Sequence, residues 1–333
     1  MGEDAPAKKD HLYGGQAVIE GVMMRGKDHW AVAVRRPDGD IHLESHHIDS
    51  VITRHPILGK PFLRGIIVLG QSLAIGMRAL QVGARESSEE DEQLTSGQMG
   101  VSLGIAIVLF IGIFILGPTV LFSWFQHRVD SDGVLTNVLE GLFRVAIFVA
   151  YLFLIGRTKE IHRVFEYHGA EHKTIAAYEH DQPLDPEHVD PYSTVHVRCG
   201  TNFLIIVMII TVFVFTLFGT PGLAWRIGSR LIAIPLIAGV SYEALRLGAR
   251  FPDSILMRVL MAPGKWLQKI TTQPPDRGQI EVAIASFNEV LRAEREGSSP
   301  DGSAPSPSAT PGGTPSPSAT PTPDGTPPPG TFP

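Results

Sequence analysis

The chain has almost no cysteine and little charge. Cys199 is the only cysteine among 333 residues, so no internal disulfide can form and small disulfide-stabilised domains are excluded. Charged residues make up 19% of the chain, below the roughly 25% that is typical of soluble domains. The formal net charge of −6 argues against a basic surface, so we expect no nucleic-acid partner. Residues 1–10 form a polar N-terminal tail without the apolar core of a secretory signal peptide.

Long apolar stretches are the main positive feature of the sequence. A helix needs about 20 apolar residues to cross a bilayer. Soluble cores rarely contain uncharged runs of this length, so we predict a mainly α, polytopic membrane helical bundle of about four spans, with the lipid bilayer as its partner. The four predicted spans are residues 99–122, 138–156, 203–219 and 227–248.

A further apolar segment, residues 61–82, has a different pattern. Arg64, Gln71 and Arg78 interrupt it at intervals of seven residues and therefore share one helix face. A lipid-facing span tolerates such side chains poorly. We predict an amphipathic or interfacial helix here, and a fifth span is the alternative.

Basic residues favour one orientation of the predicted spans. Lysine and arginine are frequent in the connector 157–202 and after residue 248, whereas the other two connectors contain one arginine each. Basic residues next to membrane spans stay on the cytoplasmic side. Both termini and the connector 157–202 are therefore predicted to be cytoplasmic.

Three segments outside the spans have patterns of their own. Residues 11–60 are predicted to form a cytoplasmic Gly-rich and β-hairpin element, because the turn residues 36–39 separate two alternating stretches. Residues 249–295 are predicted to form a cytoplasmic C-terminal helical segment, with apolar residues at helical spacing over 280–291. Residues 296–333 are rich in Pro, Ser and Thr, so a disordered tail is predicted there.

The connector 157–202 contains a pattern that is typical of metal sites. His168 and His172 are four residues apart, so both imidazoles lie on one face of a helix and can reach one metal ion. Glu171 completes His-x-x-Glu-His, the spacing of the inverted zinc-peptidase signature, in which the carboxylate activates a metal-bound water. We predict that His168 and His172 bind a divalent metal, most simply zinc, and that Glu171 is the catalytic base.

Other donors could complete this metal site. His196 and Cys199 have the His-x-x-Cys spacing of a metal-binding pair, and Glu243 is a carboxylate near the end of the fourth predicted span. We predict all three as further ligands. For Glu243 the alternative is an ion pair with Arg246 or Arg230. For Cys199 the alternatives are a small buried side chain or a nucleophile with His196 as its base.

Five charged residues are candidates for supporting the site or contacting a substrate. Glu20 and Arg25 belong to a Gly-rich segment that lacks the ending of a phosphate-binding loop. Lys173 and Arg198 could stabilise a developing oxyanion. Glu166 precedes the His-x-x-Glu-His pattern by two residues and is the fifth candidate.

Several segments resemble those of the YqhQ-like bacterial membrane proteins, the domain-of-unknown-function family 1385. The similarity extends over about residues 11–292, nearly all of the chain before the predicted tail. It departs from the family at Val197, where the family pattern has proline. The segments that carry the resemblance are residues 14–26, 166–175, 196–203, 241–243 and 271–284.

The resemblance implies a multi-pass protein of the bacterial inner (cytoplasmic) membrane and a predicted metal-dependent enzyme. It supplies no established activity. It also places six of the candidate residues at motif positions of the family: His168, Glu171, His172, His196, Cys199 and Glu243.

Together these features predict a zinc-dependent enzyme, a hydrolase, with its site at the cytoplasmic face. A non-catalytic membrane scaffold with a structural metal is one alternative, which a closed shell of four ligands would favour. A small transporter is the other, with Glu140, Arg144, Arg230 and Glu243 as a polar pathway. The sequence identifies no protein partner and leaves a homo-oligomer open.

Overall fold

The structure of the protein, a computed structural model, describes residues 13–89, 96–118, 120–121, 124, 134–196, 199–218, 223–251 and 254–297. Within these ranges the chain is mainly helical and carries a four-stranded sheet near its N-terminus, which confirms the predicted mainly α class with a small β element. The polar tail 1–10 and, from residue 298 onward, the predicted disordered tail lie outside the described residues.

The sheet is an antiparallel meander in which each strand pairs with the next one along the chain. Its last two strands form the hairpin that the turn residues predict. Gly39 in that turn has a φ of 93°, in the left-handed region that glycine enters without steric cost. The Gly-rich segment forms a second hairpin. The strands are β1 (Gly14–Val18), β2 (Gly21–Arg25), β3 (His29–Arg35) and β4 (Ile41–His47).

Helices make up most of the rest of the described chain. A single 3-10 turn over Pro56–Gly59 leads from the sheet toward the first long helix. One apolar helix continues over Ile111–Leu116 as a wider π-helical segment. The α-helices are α1 (Val51–Arg54), α2 (Leu63–Glu86), α3 (Ser96–Phe110), α4 (Val134–Ile155), α5 (Lys159–Glu179), α6 (Pro186–Val189), α7 (Gly200–Phe218), α8 (Leu223–Arg250), α9 (Ile255–Thr271) and α10 (Arg277–Gly297).

The sheet lies between helices on both of its faces. Successive side chains of a strand point in opposite directions, so neighbouring residues of one strand contribute to both cores. Met24 lies on one face and belongs to a core with Tyr167 of α5 and Phe287 of α10. Met23 lies on the other face and belongs to a core with Ile75 of α2. A register slip by one residue would exchange the two faces, so these two cores fix the strand register.

Within the described residues, three helices are long and apolar enough to cross a membrane: Leu63–Glu86, Val138–Ile155 and Gly200–Leu217. The second and third coincide with the predicted spans 138–156 and 203–219. Only 11% of Val138–Ile155 is buried inside the protein, so most of its apolar surface requires lipid or another apolar partner.

The other two predicted spans do not appear among these three helices. Residues 100–114 form a shorter apolar helix, and the described residues cover the remainder of the predicted span 99–122 only in part. The predicted span 227–248 lies within α8, which ends in the basic residue Arg250.

Helix α2 corresponds to the segment that was predicted to be amphipathic, but it also reaches the length and apolarity of a span. Its C-terminal half covers the sheet through Ile75 and Val82. Its N-terminal half crosses α8 closely, since a Cβ on Gly65 would lie 2.9 Å from the Cβ of Tyr242. A helix that covers a sheet and one that lies on a membrane have the same apolar stripe, so the sequence did not separate these roles.

Helix α9 crosses the ends of two apolar helices. A Cβ on Gly264 would lie 2.0 Å from the Asn202 side chain in the first turn of α7, and Met261 lies against Gly248 in the last turn of α8. Cys199 immediately precedes α7. The N-terminal end of α7, the C-terminal end of α8 and Cys199 therefore all lie close to α9.

Candidate metal centre

Helix α5 carries the His-x-x-Glu-His pattern on its buried face. The ring centroids of His168 and His172 are 4.4 Å apart, as the helical spacing predicts. Glu171 and Lys173 are buried beside them. Burying this many polar groups is costly unless each one is hydrogen-bonded or binds a ligand, so the partners of these side chains define what the site can do.

Backbone carbonyls orient both imidazoles in the same way. The Nδ1 of His168 lies 2.9 Å from the carbonyl oxygen of Thr271, and the Nδ1 of His172 makes the equivalent contact with the carbonyl of Thr194. A carbonyl only accepts hydrogen bonds, so each Nδ1 carries the proton and donates it. The Nε2 lone pairs are left for another partner, which is how metal-binding histidines are held.

Cys199 brings a sulfur to these two nitrogens. Its Sγ lies 3.2 Å from the Nε2 of His168, and one donor atom from each of His168, His172 and Cys199 falls within 4.8 Å of the others. The backbone N–H and the hydroxyl of Thr201 also point toward Sγ, at 3.4 and 3.2 Å. Donors directed at the sulfur stabilise a thiolate, the form of cysteine that binds metals.

The His172 ring contains an unsatisfied polar atom. The side chain is 1% exposed, and its Nε2 has no hydrogen-bond partner among the described residues. Burial lowers the pKa of His172, against the opposing effect of the nearby Cys199 thiol, so the ring is neutral and its Nε2 is an acceptor. An orphaned acceptor beside a thiol and a second imidazole fits a divalent cation. Imidazole nitrogen and thiolate sulfur are the donors that zinc prefers.

Glu171 lies next to both imidazoles and is held by the Gly-rich hairpin. Its Oε2 is 3.8 Å from the Nε2 of His168 and from the Nε2 of His172. Burial raises the pKa of Glu171, while the two neighbouring histidines His168 and His196 and the backbone N–H of Gly15 act in the opposite direction. A Cβ on Gly15 would lie 2.8 Å from the Cγ of Glu171. Glycine is therefore required for the close approach of β1 to this carboxylate.

His196, a predicted ligand, lies near the three donors but outside their group. Its ring centroid is 5.8 Å from that of His172, and its Nε2 is 3.2 Å from the Oε2 of Glu179. The side-chain amide of Gln268 holds the backbone of His196 by accepting from its N–H and donating to its carbonyl. His196 is thus positioned by α5 and α9 beside the site.

Glu243, also predicted as a ligand, is ion-paired at a different place. The Nε of Arg64 donates to its Oε1 at 2.7 Å, and a second guanidinium nitrogen contacts Oε2. The backbone N–H of Phe62 adds a longer contact of 3.4 Å. This pair joins α2 to α8 and places the Glu243 carboxylate with Arg64, outside the group of donor atoms formed by His168, His172 and Cys199.

Replacing Glu243 by glutamine is therefore expected to leave the metal content of the purified protein unchanged. It should lower the stability by about 1–2 kcal/mol, because the half-buried Arg64 loses its charged partner. Metal analysis and thermal unfolding in detergent measure the two effects. The exposed Glu296→Gln, which removes the same charge from the Arg292 pair on α10, should change neither. Loss of metal in Glu243→Gln alone would return Glu243 to the ligand shell.

Four of the five remaining charged candidates have hydrogen-bond partners other than the three donor residues. Lys173 donates to the backbone carbonyl and the carboxylate of Asp190 rather than pointing at the metal centre. Arg198 lies outside the described residues. The other three candidates are hydrogen-bonded as follows: Glu166 accepts from Gln279 at 2.7 Å, Glu20 accepts from Arg163, and Arg25 donates to Ser72.

Several residues of the site were missed by sequence reasoning. Thr194 and Thr271 contribute backbone carbonyls, which leave no trace in the side-chain pattern. Thr201 and Gln268 lie in segments that the family resemblance covers or adjoins, but their contacts depend on the tertiary fold. Glu179 is the one missed residue with a signal in the sequence: it follows His172 by seven residues, two helical turns, and therefore lies on the same face of α5.

Comparisons with known proteins agree on a single family. The family model described as "Protein of unknown function (DUF1385)" matches residues 60–293. The chain is 36% identical over 300 residues to the "Uncharacterized protein YqhQ" of Bacillus subtilis (strain 168), an alignment that covers 85% of this chain and 93% of that protein. No solved structure gives a significant match.

Proposed function

The chain belongs to the DUF1385 family, and we propose that it is a zinc-dependent membrane enzyme, a hydrolase, whose metal centre is formed by His168, His172 and Cys199. The observation that carries this proposal is the buried Nε2 of His172, which has no hydrogen-bond partner in the described part of the chain. A neutral ring held through Nδ1, with its lone pair facing a thiol and another imidazole, is explained by a shared cation.

The donor set favours a catalytic site over a purely structural one. Structural zinc sites are closed by four protein ligands, whereas catalytic sites have three and keep one position open. His196 and Glu243 were also predicted as ligands, but among the described residues the Nε2 of His196 contacts Glu179 and the carboxylate of Glu243 contacts Arg64. When bound, zinc is a Lewis acid that polarises a carbonyl oxygen and lowers the pKa of coordinated water.

Glu171 is the residue placed to handle protons beside this centre. Its carboxylate lies within 3.8 Å of both ligand nitrogens, and β1 shields it from solvent. A carboxylate at this position can accept a proton from water as the water attacks an acyl carbon, and then deliver the proton to the leaving group. Hydrolysis of a peptide, a lipid-linked group or a small acyl compound is consistent with this arrangement.

The membrane setting of the proposal is a multi-pass protein of the bacterial inner membrane with both termini in the cytoplasm. The basic residues around α5 and α9 support this orientation through the positive-inside rule. The same orientation places the proposed metal centre at the cytoplasmic face. Cys199 directly precedes α7 and therefore lies at the cytoplasmic end of a helix long enough to span the bilayer.

Cobalt(II) replacement tests the ligand set and the open position without knowledge of the substrate. The cobalt-loaded protein should show a near-ultraviolet thiolate-to-metal absorption band, and Cys199→Ser should abolish it. Acetohydroxamate should change the visible cobalt spectrum of the wild-type protein, because it can occupy an open coordination position.

Glu171→Gln is the matched variant for this experiment. It should retain the thiolate band, because Glu171 is assigned to proton transfer rather than to metal binding. A spectrum that does not respond to acetohydroxamate would favour a structural metal in a membrane scaffold. Absence of a thiolate band in the wild-type protein would contradict the proposed centre.

A further inference from the structure

Helix α9 has an apolar face that is not covered by any of the residues that the structure describes. Ile255, Val259 and Trp266 are 75%, 66% and 56% exposed, and at about 100° per residue they align along one side of the helix. Met261 and Leu267 lie on the opposite side and are buried against the protein. The exposed stripe therefore extends along most of a helix whose other face is fully used in packing.

Basic side chains flank the apolar stripe. Arg258, Lys265 and Lys269 follow one another along the helix at intervals of seven and four residues, which places them in a row on one flank of the stripe. Helix α9 contains no acidic residue that could neutralise them. An apolar stripe with a basic flank complements a surface that is apolar below and negatively charged above.

The position of α9 matches the surface of a bilayer. The helix packs across the first turn of α7 at Asn202 and the last turn of α8 at Gly248. Segment Gly200–Leu217 of α7 is long and apolar enough to span a membrane. A helix that crosses the end of such a segment lies at the depth of the lipid headgroups, where tryptophan and basic side chains are enriched.

We propose that the outer face of α9 is a docking surface for anionic phospholipids of the membrane in which the protein resides. Ile255, Val259 and Trp266 insert at the boundary between headgroups and acyl chains, while the basic flank pairs with lipid phosphates. A second copy of the chain is a poorer occupant, because a symmetric contact would bring two basic flanks together. This surface does not depend on a metal at the candidate centre.

Quenching of tryptophan by brominated lipids tests this surface in the full chain. The protein is reconstituted in phosphatidylcholine and phosphatidylglycerol at one fixed ratio, with either lipid dibrominated near the headgroup end of its acyl chains at matched mole fraction. The difference between wild type and Trp266→Phe isolates the Trp266 signal. Brominated phosphatidylglycerol should quench this signal at least about twice as strongly as brominated phosphatidylcholine does.

Two charge variants make the test specific. Arg258→Gln/Lys265→Gln/Lys269→Gln should make the two brominated lipids equally effective. The matched variant Arg277→Gln/Arg292→Gln/Arg295→Gln, which removes three exposed basic residues from α10, should preserve the preference. Equal quenching in the wild-type protein would reduce the surface to apolar lipid contact and overturn the proposal. No quenching of Trp266 by either lipid would mean that another protein surface covers α9, and this would also overturn it.

Discussion

His172→Ala is expected to lower the zinc affinity of the purified protein several-hundred-fold. Zinc sites of small proteins contribute roughly 10–16 kcal/mol in total, so one of three or four ligands accounts for about 3–4 kcal/mol, or two to three powers of ten in the dissociation constant. His172 should show the full effect, because its ring is buried and already oriented by the carbonyl of Thr194. Competition with a fluorescent zinc chelator under reducing conditions measures the affinity.

His162→Ala is the matched control for this prediction. His162 lies on the same helix, but its side chain is 47% exposed and faces Glu166 at 3.5 Å rather than the three donors. Its replacement should leave the zinc affinity within about twofold of wild type. If His172→Ala and His162→Ala bind zinc equally well, the ring of His172 is not a ligand.

Gly169→Ala is expected to damage both the fold and the metal centre, although alanine is normally the better helix former. A Cβ at residue 169 would lie 2.1 Å from the carbonyl oxygen of Gln273 and 3.2 Å from the Cγ2 of Thr194. The segment containing Gln273 is fixed to α5, because its N–H donates to the carbonyl of Phe165 at 2.9 Å. The added methyl group must therefore displace backbone.

The displaced segments are the ones that orient the ligands. The backbone carbonyl of Thr271, two residues before Gln273, accepts a hydrogen bond from the Nδ1 of His168. The carbonyl of Thr194 accepts one from the Nδ1 of His172. We expect Gly169→Ala to reduce stability by about 1–3 kcal/mol through overpacking. The zinc affinity should fall about 10- to 100-fold through loss of the orienting hydrogen bonds. Thermal unfolding in detergent and the chelator competition assay measure these effects.

Gly200→Ala provides the comparison for Gly169→Ala. Gly200 is adjacent to Cys199, yet a Cβ there would meet nothing within 4 Å. The change should leave the zinc affinity unchanged and alter the stability by less than about 0.5 kcal/mol. If the Gly169→Ala protein is as stable as Gly200→Ala and binds zinc as tightly, the carbonyls of Thr194 and Thr271 do not orient the rings of His172 and His168.

The sequence predicted those parts of the protein that depend on local periodicity. The four-residue spacing of His168 and His172 brings the rings together in any helix, and the turn residues before Asp40 define the β3–β4 hairpin wherever it packs. The long apolar runs likewise correspond to α4 and α7. Each of these predictions needed only the regular geometry of one helix, one strand pair or one span.

Contacts between distant segments were not accessible in this way. Glu243 has two arginines nearby in the sequence, but its partner is Arg64, 179 residues away. The orienting carbonyl of Thr271 lies 103 residues from His168 and has no side-chain signature. The role of α2 was ambiguous for a related reason, because a sheet and a lipid surface select the same apolar stripe.

The most direct test of the three-residue metal centre is zinc X-ray absorption spectroscopy of the metal-loaded full-length protein. If His168, His172 and Cys199 share the ion, the first shell will contain one sulfur at about 2.3 Å and two imidazole nitrogens at about 2.0–2.1 Å, with any remaining position filled by a light atom. A first shell without sulfur, or with no imidazole scattering, would contradict the assignment.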